Sequence, residues 1–250
     1  MLAIERRSQI LSTIEAEKSV LVVELAKKYD VTEETIRRDL EKLEKEGFVK
    51  KTYGGAVLTE NLSAELPYRI REKTNEAQKL IVAQKVFDLV EVGENIMLDA
   101  SSTCVFIARK LKEKGKLTII TNSVEILLEC ADCENLNLIA TGGTLRGSSL
   151  SLVGQAAVRS IGKFTADKAV ISCKGLDFDK GIMESDISEA EIKKAMAENS
   201  KQLILAVDNS KFNRLSFVKS LAWQQVNTIT ADSAPNEWSQ FFKKNQIKFV

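Results

Sequence analysis

The sequence predicts an α/β protein with two domains: a small helical N-terminal domain that ends in a β-hairpin, and a larger domain built on a mostly parallel sheet. Three observations favour this architecture. The chain has 250 residues, which is enough for two domains. Its first part places apolar residues at helical spacing. The remainder alternates short apolar runs with amphipathic segments, which is typical of βαβ units.

The composition excludes several classes of protein. No apolar run approaches the roughly 18 residues that a membrane span needs, and Met1–Arg7 lacks the apolar core of a signal peptide. We therefore expect a cytoplasmic protein without a membrane partner. The sequence contains no histidine, which excludes Ser-His-Asp catalysis and histidine metal sites. We expect no cofactor and no bound metal.

The cysteines give no strong signal for chemistry. They are Cys104, Cys130, Cys133 and Cys173. Cys130 and Cys133 form a C-x-x-C pair where a helix is predicted to end, and no second pair accompanies it. We interpret all of them as structural thiols rather than as a zinc or redox site.

The N-terminal segment, residues 1–58, begins with two predicted helices. In the first, Ile10, Leu11 and Ile14 lie on one face. The second, Val22–Tyr29, is short.

A third helix is predicted over Glu33–Lys45. Thr32 is a good N-cap residue, and the acidic residues after it suit the positive end of the helix. Ile36, Leu40 and Leu43 follow the i, i+4, i+7 pattern of a buried stripe.

Two short strands follow the third helix. They are Phe48–Tyr53 and Ala56–Leu58, with Gly54-Gly55 as the turn between them. Two short helices, a tight turn, a capped third helix and a trailing hairpin together predict a winged helix-turn-helix.

The exposed face of the third helix suits contact with DNA. If its apolar stripe is buried, Thr35, Arg38 and Lys42 share another face. Arginine can bond the edge of guanine with two hydrogen bonds, and the hairpin can hold phosphates, as can Arg6 and Arg7. The predicted DNA-binding residues are Thr32, Thr35, Arg37, Arg38, Lys42, Lys50, Lys51 and Tyr53.

Charge alone leaves a second interpretation open. Residues 1–58 contain eleven basic and eleven acidic residues, so the segment is neutral. A neutral three-helix domain also suits a role in protein interaction, with Arg37-Arg38 as an ordinary solvated pair.

The motifs decide between these interpretations. Arg6, Ile10 and Ile14 are followed, after seventeen residues, by Thr32-x2-Thr35-Ile36-Arg37-Arg38-Asp39-Leu40. Leu43–Gly47 and Tyr53–Ala56 come next. This arrangement resembles the signature of the DeoR family of bacterial transcriptional regulators. The resemblance implies a winged helix-turn-helix bound to double-stranded operator DNA.

A linker is predicted over residues 59–74, between domains at 1–58 and 75–250. Its first part is polar, has weak periodicity and ends near Pro67. Beyond it, the predicted strands are Asn95–Asp99, Leu117–Asn122, Leu136–Thr141, Lys168–Cys173, Gln202–Asp208 and Thr228–Ala231. The predicted helices are Asn75–Val90, Thr103–Lys114, Ser123–Cys130, Gln155–Ile161, Ser188–Asn199 and Glu237–Lys244.

Polar residues follow five of these strands, where ligands bind in open α/β sheets. Hydroxyls, glycines and helix starts at such positions suit anions, and a cation can complete the site. The predicted effector-binding residues are Asp99, Ser101, Ser102, Thr103, Thr121, Asn122, Ser123, Gly142, Gly143, Arg146, Lys174, Glu189, Asp208 and Lys211.

Each strand end taken singly also fits a simple structural role. Ser, Thr, Asn and Asp cap helices, and Gly-Gly forms turns. Convergence of five ends on one sheet edge favours a binding site. Thr141-Gly-Gly-Thr144 matches no Walker or dinucleotide motif, so nucleotide binding is not indicated.

Seven stretches of the second domain carry family motifs. They are Asp99–Thr103, Thr121–Ser123, Thr141–Arg146, Asp167–Ala169, Gly175–Asp177, Glu189–Lys193 and Asp208–Phe212. They too resemble the DeoR family, whose effector domain is similar to ribose-5-phosphate isomerase. The resemblance implies a phosphorylated sugar as effector and a repressor of a sugar-utilisation operon.

Three further expectations concern activity and assembly. Glu189 and Lys193 have the spacing of an exposed i,i+4 pair, which favours an exposed or ligand-sensing helix over catalysis. The main alternative is a sugar-phosphate isomerase with an accessory DNA-binding domain, for which Asp177, Asp179 and Glu184 are available carboxylates beside Glu189. One winged helix buries too little surface for tight operator binding, so a homo-oligomer is expected.

Overall fold

The chain divides into two compact units at Thr74/Asn75. Its structure, a computed structural model, describes residues 2–59 and 65–250. No helix in these ranges has both the length and the apolar character needed to cross a membrane.

The first unit is helical with a small sheet. Its elements are α1 (Ala3–Glu17), β1 (Ser19–Leu21), α2 (Val22–Tyr29), α3 (Glu33–Lys45), β2 (Val49–Thr52), β3 (Gly55–Leu58) and α4 (Tyr68–Lys73). The predicted spans of α2 and α3 are confirmed. The chain leaves α2 at Asp30, whose φ is 51°, and α3 begins where the Thr32 hydroxyl accepts the N–H of Thr35 at 3.3 Å.

The hairpin is extended by a strand that the sequence analysis missed. Within residues 2–59, β1, β3 and β2 form an antiparallel sheet in that order. With three residues, β1 is too short to show an alternating pattern, yet Val20 is buried in the core. A Cβ on Gly55 would lie 2.0 Å from the Val20 carbonyl oxygen, so this pairing requires glycine.

The predicted linker is partly folded. Residues 60–64 lie outside the described residues, but α4 lies inside the 59–74 segment. Leu66 and Ile70 are buried in the hydrophobic core of the first unit, together with Ile10, Ile36 and Leu40. Two or three apolar residues in a short polar segment give no measurable period, which is why this helix was not predicted.

The second unit, residues 75–250, is described throughout. Its helices are α5 (Glu76–Leu89), α6 (Ser102–Leu111), α7 (Val124–Cys130), α8 (Gln155–Ile161), α9 (Ile187–Glu198) and α10 (Asn236–Lys244). Its strands are β4 (Asn95–Leu98), β5 (Leu117–Thr121), β6 (Leu136–Ala140), β7 (Thr144–Arg146), β8 (Ser151–Val153), β9 (Ala166–Ile171), β10 (Gly175–Asp177), β11 (Gly181–Glu184), β12 (Ser200–Val207), β13 (Val218–Leu221), β14 (Thr228–Ala231) and β15 (Lys248–Phe249).

A parallel seven-stranded sheet forms the centre of the second unit. Its order is β15-β14-β12-β9-β4-β5-β6, and every neighbouring pair is parallel. The chain adds strands outward from β4 in one direction and from β9 in the other. The point where the order reverses therefore lies between β4 and β9. The predicted mostly parallel α/β fold is confirmed.

Two small antiparallel sheets accompany the main one. One is the hairpin β7–β8, and the other has the order β10-β11-β13. Neither was predicted, because strands of three or four residues carry too few alternations. They matter because they follow β6 and β9, at the edge where the polar strand ends lie.

Candidate functional site

The outer face of α3 carries basic side chains. The core side of α3 is formed by Ile36, Leu40 and Leu43, which are at most 1% exposed. Arg38 lies opposite and Arg37 at the edge of that face, and each pairs with an acid one turn earlier in the helix, at 3.2 and 3.0 Å. Exposed pairs of this kind contribute little and exchange readily for phosphate or base contacts.

Lys42 continues this exposed face, as the spacing predicted. The start of α3 presents two hydroxyls. The Oγ1 atoms of Thr32 and Thr35 lie 2.9 Å apart, and Thr32 caps the helix. Since free N–H groups and the helix dipole favour anions at this end, a DNA phosphate is suited to it.

The hairpin β2–β3 presents a second basic surface. Lys50 and Lys51 are exposed on β2, and Tyr53 at the turn is wholly exposed. The backbone N–H of Lys51 donates to Glu44 at 2.8 Å, which ties β2 to α3. Helix and hairpin therefore present their cations from one continuous body.

Arg6 does not reach solvent, contrary to the expectation that it contacts phosphate. It is 7% exposed, and its Nε donates to Asp39 Oδ2 at 2.6 Å. Helix packing turns this side chain inward, where it needs a carboxylate partner. Arg7 remains partly exposed and lines a groove with Arg38 and Lys42.

In the second unit, the five predicted strand ends belong to adjacent strands. The strands β12, β9, β4, β5 and β6 are consecutive in the sheet. Their carboxyl ends therefore share one edge, and the reversal of strand order falls among them. Ligands bind at such points in open α/β sheets.

Asp99 is the central carboxylate at this edge. It is 1% exposed and accepts the backbone N–H of Ser172 at 3.0 Å, which joins the ends of β4 and β9. Lys193 Nζ lies 2.8 Å from Asp99 Oδ2 and 2.7 Å from Glu184 Oε1, and it also donates to the Ser172 carbonyl at 2.8 Å.

The ionisation of this cluster follows from burial and charge. Burial opposes ionisation of Asp99, but the charge and hydrogen bond of Lys193 lower the pKa of Asp99 below its usual value. Burial likewise opposes protonation of Lys193, yet Asp99 and Glu184 raise the pKa of Lys193 well above its usual value. Burial raises the pKa of Glu184 in spite of Lys193.

A second buried carboxylate, Asp208, lies at the end of β12. It accepts the side-chain amide N–H of Asn75 at 2.9 Å and the hydroxyl of Ser210, and Lys211 Nζ lies 3.9 Å away. Burial alone would raise the pKa of Asp208. The charges of Lys211 and Lys79 and the Ser210 hydrogen bonds lower it instead.

Arg146 connects the β7–β8 hairpin to α9. Its Nη1 donates to Ser149 at 2.9 Å, and its guanidinium lies 3.5 Å from Asp186 and 3.8 Å from Glu189. Glu189 Oε1 also accepts the hydroxyl of Ser151 at 2.5 Å. The one predicted cation of this hairpin is therefore held next to carboxylates.

The predicted hydroxyl residues of β4, β5 and the helices after them cap helices, bond to the backbone or are buried. Ser101 caps α6 and Ser123 caps α7. The Thr121 hydroxyl donates to the Leu98 carbonyl at 2.7 Å. Ser102 and Thr103 are buried on α6.

Three other predicted residues lie on the loops of this edge. Gly142 and Gly143 are exposed with φ of 67° and 119°. A Cβ on Gly143 would come within 2.6 Å of the Val153 carbonyl oxygen, so the turn into the hairpin needs glycine there. Lys174 is half-buried just after β9.

Asn122 differs from these capping residues. It is buried, and its amide N–H donates to the Leu152 carbonyl at 3.2 Å. Its Oδ1 has no hydrogen-bond partner among the described residues.

The expectation of an exposed Glu189–Lys193 pair was wrong. Both side chains are buried, at 6% and 5% exposure, and each binds partners on other elements. The sequence analysis also missed Lys79 on α5, which is buried and acts on Asp208. For both Lys79 and Lys193, the available sequence signal was a lysine among the apolar residues of a helix.

Three of the cysteine thiols have raised pKa values. Cys104, Cys130 and Cys173 are buried, and burial raises the pKa of Cys130 to about 11. Protonated thiols are poor nucleophiles and metal ligands. No group of three or more Cys, Asp or Glu side chains that could hold a metal occurs among the described residues.

Family models match both units. Residues 6–61 match a DeoR-like helix-turn-helix domain, and residues 74–233 match a DeoR C terminal sensor domain. The chain is 40% identical over 233 residues to the uncharacterized HTH-type transcriptional regulator YulB of Bacillus subtilis, covering 93% of this chain and 90% of that protein.

Two further relatives are named for the genes that they regulate. The L-fucose operon activator of Haemophilus influenzae is 31% identical, with 98% of each chain covered. The glycerol-3-phosphate regulon repressor of Escherichia coli K12 is 29% identical, with 92% of this chain and 91% of that protein covered. Among solved structures, ribose 5-phosphate isomerase A of Methanocaldococcus jannaschii aligns with a TM-score of 0.42 and 20% identity, over 56% of each chain.

Proposed function

This chain belongs to the DeoR family of transcriptional regulators, and on that premise we propose that it represses a sugar-utilisation operon in response to a phosphorylated sugar. The observation that carries the proposal is the exposed row Arg37, Arg38 and Lys42 on a helix whose other face is buried. These side chains have the reach and chemistry to read base edges in a major groove.

In this proposal the two basic surfaces have different tasks. Arg37 and Arg38, with Thr35, discriminate operator from other DNA through base edges. Lys42, Lys50, Lys51, Tyr53 and the Thr32 end of α3 hold phosphates and set the register. Phosphate contacts add affinity without sequence preference. The protein then acts in the cytoplasm, where bacterial operator DNA is found.

The effector site is proposed at the carboxyl edge of the sheet. Asp99 and Asp208 would accept hydroxyl protons of the sugar, and Asn122 Oδ1 offers a further acceptor. Arg146, Lys174 and Lys211 would take the phosphate. The names of two relatives, the L-fucose operon activator and the glycerol-3-phosphate regulon repressor, support this class of ligand.

We propose that the protein binds the phosphorylated sugar as a signal and does not convert it chemically. The family consists of transcriptional regulators. Catalysis by the alternative isomerase would need a carboxylate that is free to take and return a proton. Three buried carboxylates of the second unit are held by other side chains: Glu189 is bound by Ser149, Ser151 and Arg146, whereas Asp99 and Glu184 are bound by Lys193. Asp177 Oδ1 accepts the backbone N–H groups of Asp179 and Lys180.

A homo-oligomer completes the proposal, because tight operator binding needs more buried surface than one winged helix offers. The effector would shift the population between two arrangements of the DNA-binding heads. A ligand can do this only through different affinities for the two arrangements.

A binding selection tests the proposal directly. Full-length protein would be incubated with fragments of its own genome, and the retained fragment used in anisotropy titrations beside a scrambled copy. Hexose, pentose and glycerol phosphates would then be added, with the unphosphorylated sugars and inorganic phosphate as controls. We expect selective release of the retained fragment by one sugar phosphate. Equal binding to the scrambled copy would refute operator recognition, and indifference to every sugar phosphate would refute the effector assignment.

A further inference from the structure

The centre of α3 contains an acidic residue that the proposed DNA interface does not use. Asp39 lies between exposed Arg38 and buried Leu40, and it is 4% exposed. A carboxylate there cannot serve DNA phosphates, which carry the same charge. Its place in the middle of a DNA-reading helix therefore calls for another explanation.

Asp39 holds two arginines of α1. Its Oδ2 accepts from Arg6 Nε at 2.6 Å, and its Oδ1 lies 3.4 Å from Arg7 Nη1. Arg6 is as deeply buried as Asp39, whereas Arg7 is partly exposed. Each carboxylate oxygen thus has its own guanidinium, which compensates the burial of the charge.

These bonds restrain α3 in a way that the apolar core does not. Contacts of Ile36, Leu40 and Leu43 are non-directional, so they tolerate small rotations of the helix about its axis. Charge-assisted hydrogen bonds are directional. Asp39 is one residue from Arg38 and three from Lys42, so fixing Asp39 fixes the directions in which both basic side chains leave the helix.

We propose that Arg6 and Asp39 are positioning residues for operator recognition: the pair sets the rotation of α3 and hence the placement of Arg38 and Lys42 on DNA. The inference rests on the proposed role of α3 in reading DNA. It also explains how two residues far apart in the sequence contribute to one task without touching DNA.

The sign of one substitution separates positioning from simple electrostatics. Asp39→Asn removes a negative charge beside DNA, so electrostatics alone would strengthen binding. Loss of positioning should instead weaken binding to the operator at least tenfold while binding to scrambled DNA stays equal or rises. The matched control is Glu41→Gln on the same helix, where the exposed carboxylate pairs with Lys45 at 3.4 Å. The control should keep or raise affinity for both DNAs.

A double-variant cycle tests whether Arg6 and Asp39 act as one unit. Arg6→Gln should lose operator affinity as Asp39→Asn does. The double variant should lose no more operator affinity than whichever single variant binds the operator less tightly. Arg6→Lys, which retains the charge, should fold and give an intermediate loss. Circular dichroism of each full-length variant at the assay temperature verifies that the first unit is folded.

Two results would overturn the inference. One is a folded Asp39→Asn or Arg6→Lys protein that binds operator as tightly as the wild type. The other is an equal loss of affinity for operator and scrambled DNA, which indicates a general structural role. Unfolding of Asp39→Asn together with wild-type operator affinity of Arg6→Lys would indicate the same structural role. If the wild type does not prefer its selected fragment over scrambled DNA, the DNA-reading function itself is refuted. This outcome differs from failure of the positioning role, in which the wild type still prefers its fragment.

Discussion

At the residue scale, position in the tertiary structure separates basic groups that look alike in sequence. Arg6, Arg7 and Arg38 are all arginines of the helical domain, yet Arg6 is buried against Asp39 while Arg38 is largely exposed. Only the exposed groups can meet DNA. Their substitution should therefore affect binding and leave the fold intact.

Arg38→Ala should weaken operator binding by about 1–3 kcal/mol, because an arginine bonded to a base edge carries sequence information. Lys51→Ala should weaken binding to all DNA alike and lower the salt slope by about one, because it removes a phosphate contact. Anisotropy titrations on operator and scrambled DNA at several salt concentrations measure both. Wild-type operator affinity in Arg38→Ala would exclude it as a reader of bases.

Gly55→Ala should destabilise the first unit by about 1–3 kcal/mol, since the added Cβ would meet the Val20 carbonyl at 2.0 Å. Both tryptophans, Trp223 and Trp238, belong to the second unit. In urea, the unfolding transition of the first unit, followed by circular dichroism, should therefore move to lower urea concentration. The transition of the second unit, followed by tryptophan fluorescence, should not move. Gly162→Ala is the control, because the atom nearest to its added Cβ, the Val158 carbonyl oxygen, would be 3.7 Å away. An unshifted Gly55→Ala transition would contradict the close β1–β3 pairing.

At the scale of elements, buried charges join strand ends to helices in the second unit. Lys193 on α9 binds groups at the ends of β4, β9 and β11, and Asp208 binds groups on α5 and after β12. Stability of this edge should therefore depend on pH.

Asp208 should contribute to the loss of stability at acid pH, together with Asp99, whose pKa is also lowered. The pKa of Asp208 is lowered in the folded chain, so its contribution is present above the unfolded carboxyl pKa of about 4 and is lost as the pH falls through the folded value. Asp208→Asn should lower stability at neutral pH and flatten the decline below about pH 4. Urea unfolding followed by tryptophan fluorescence measures this, with exposed Asp179→Asn as control. A decline as steep as that of the wild type would assign the loss of stability to other carboxylates.

Arg146 links the hairpin to α9 and is one of the three cations proposed for the phosphate. Arg146→Ala should bind operator like the wild type but fail to respond to the sugar phosphate.

In the wild type, a hundredfold excess of effector over its dissociation constant should stabilise the second unit by about 2.7 kcal/mol. Thermal unfolding of the full chain with phosphorylated and unphosphorylated sugar measures this. Equal stabilisation by both sugars would remove the argument from phosphate.

At the scale of the whole molecule, sensing requires a large difference in affinity between two arrangements. Shifting a population from 1:99 to 99:1 takes about 5.5 kcal/mol of preference. In the proposed mechanism, phosphate contacts formed in one arrangement only would supply this preference. Nuclear magnetic resonance of the sugar phosphate after long incubation should show no conversion, whereas steady isomerisation would favour the enzyme.

Much of this protein follows from local sequence alone. The periodicity of α2 and α3, the Thr32 cap and the alternation of strands and helices depend on neighbouring residues, so they could be read directly. The five polar strand ends could also be predicted, because parallel strands bring their carboxyl ends to one edge. The placement of those side chains as ligand contacts stays a prediction.

Tertiary structure decided the rest, because burial and ion pairing join residues that are distant in sequence. Nothing near Arg6 indicates that Asp39 will bury it, and nothing near Lys193 indicates Asp99 as its partner. The short elements β1 and α4 likewise exist because Val20 and Ile70 fill a core formed by other helices. Local pattern determined which elements form, whereas packing determined which charges face solvent and which hold the fold.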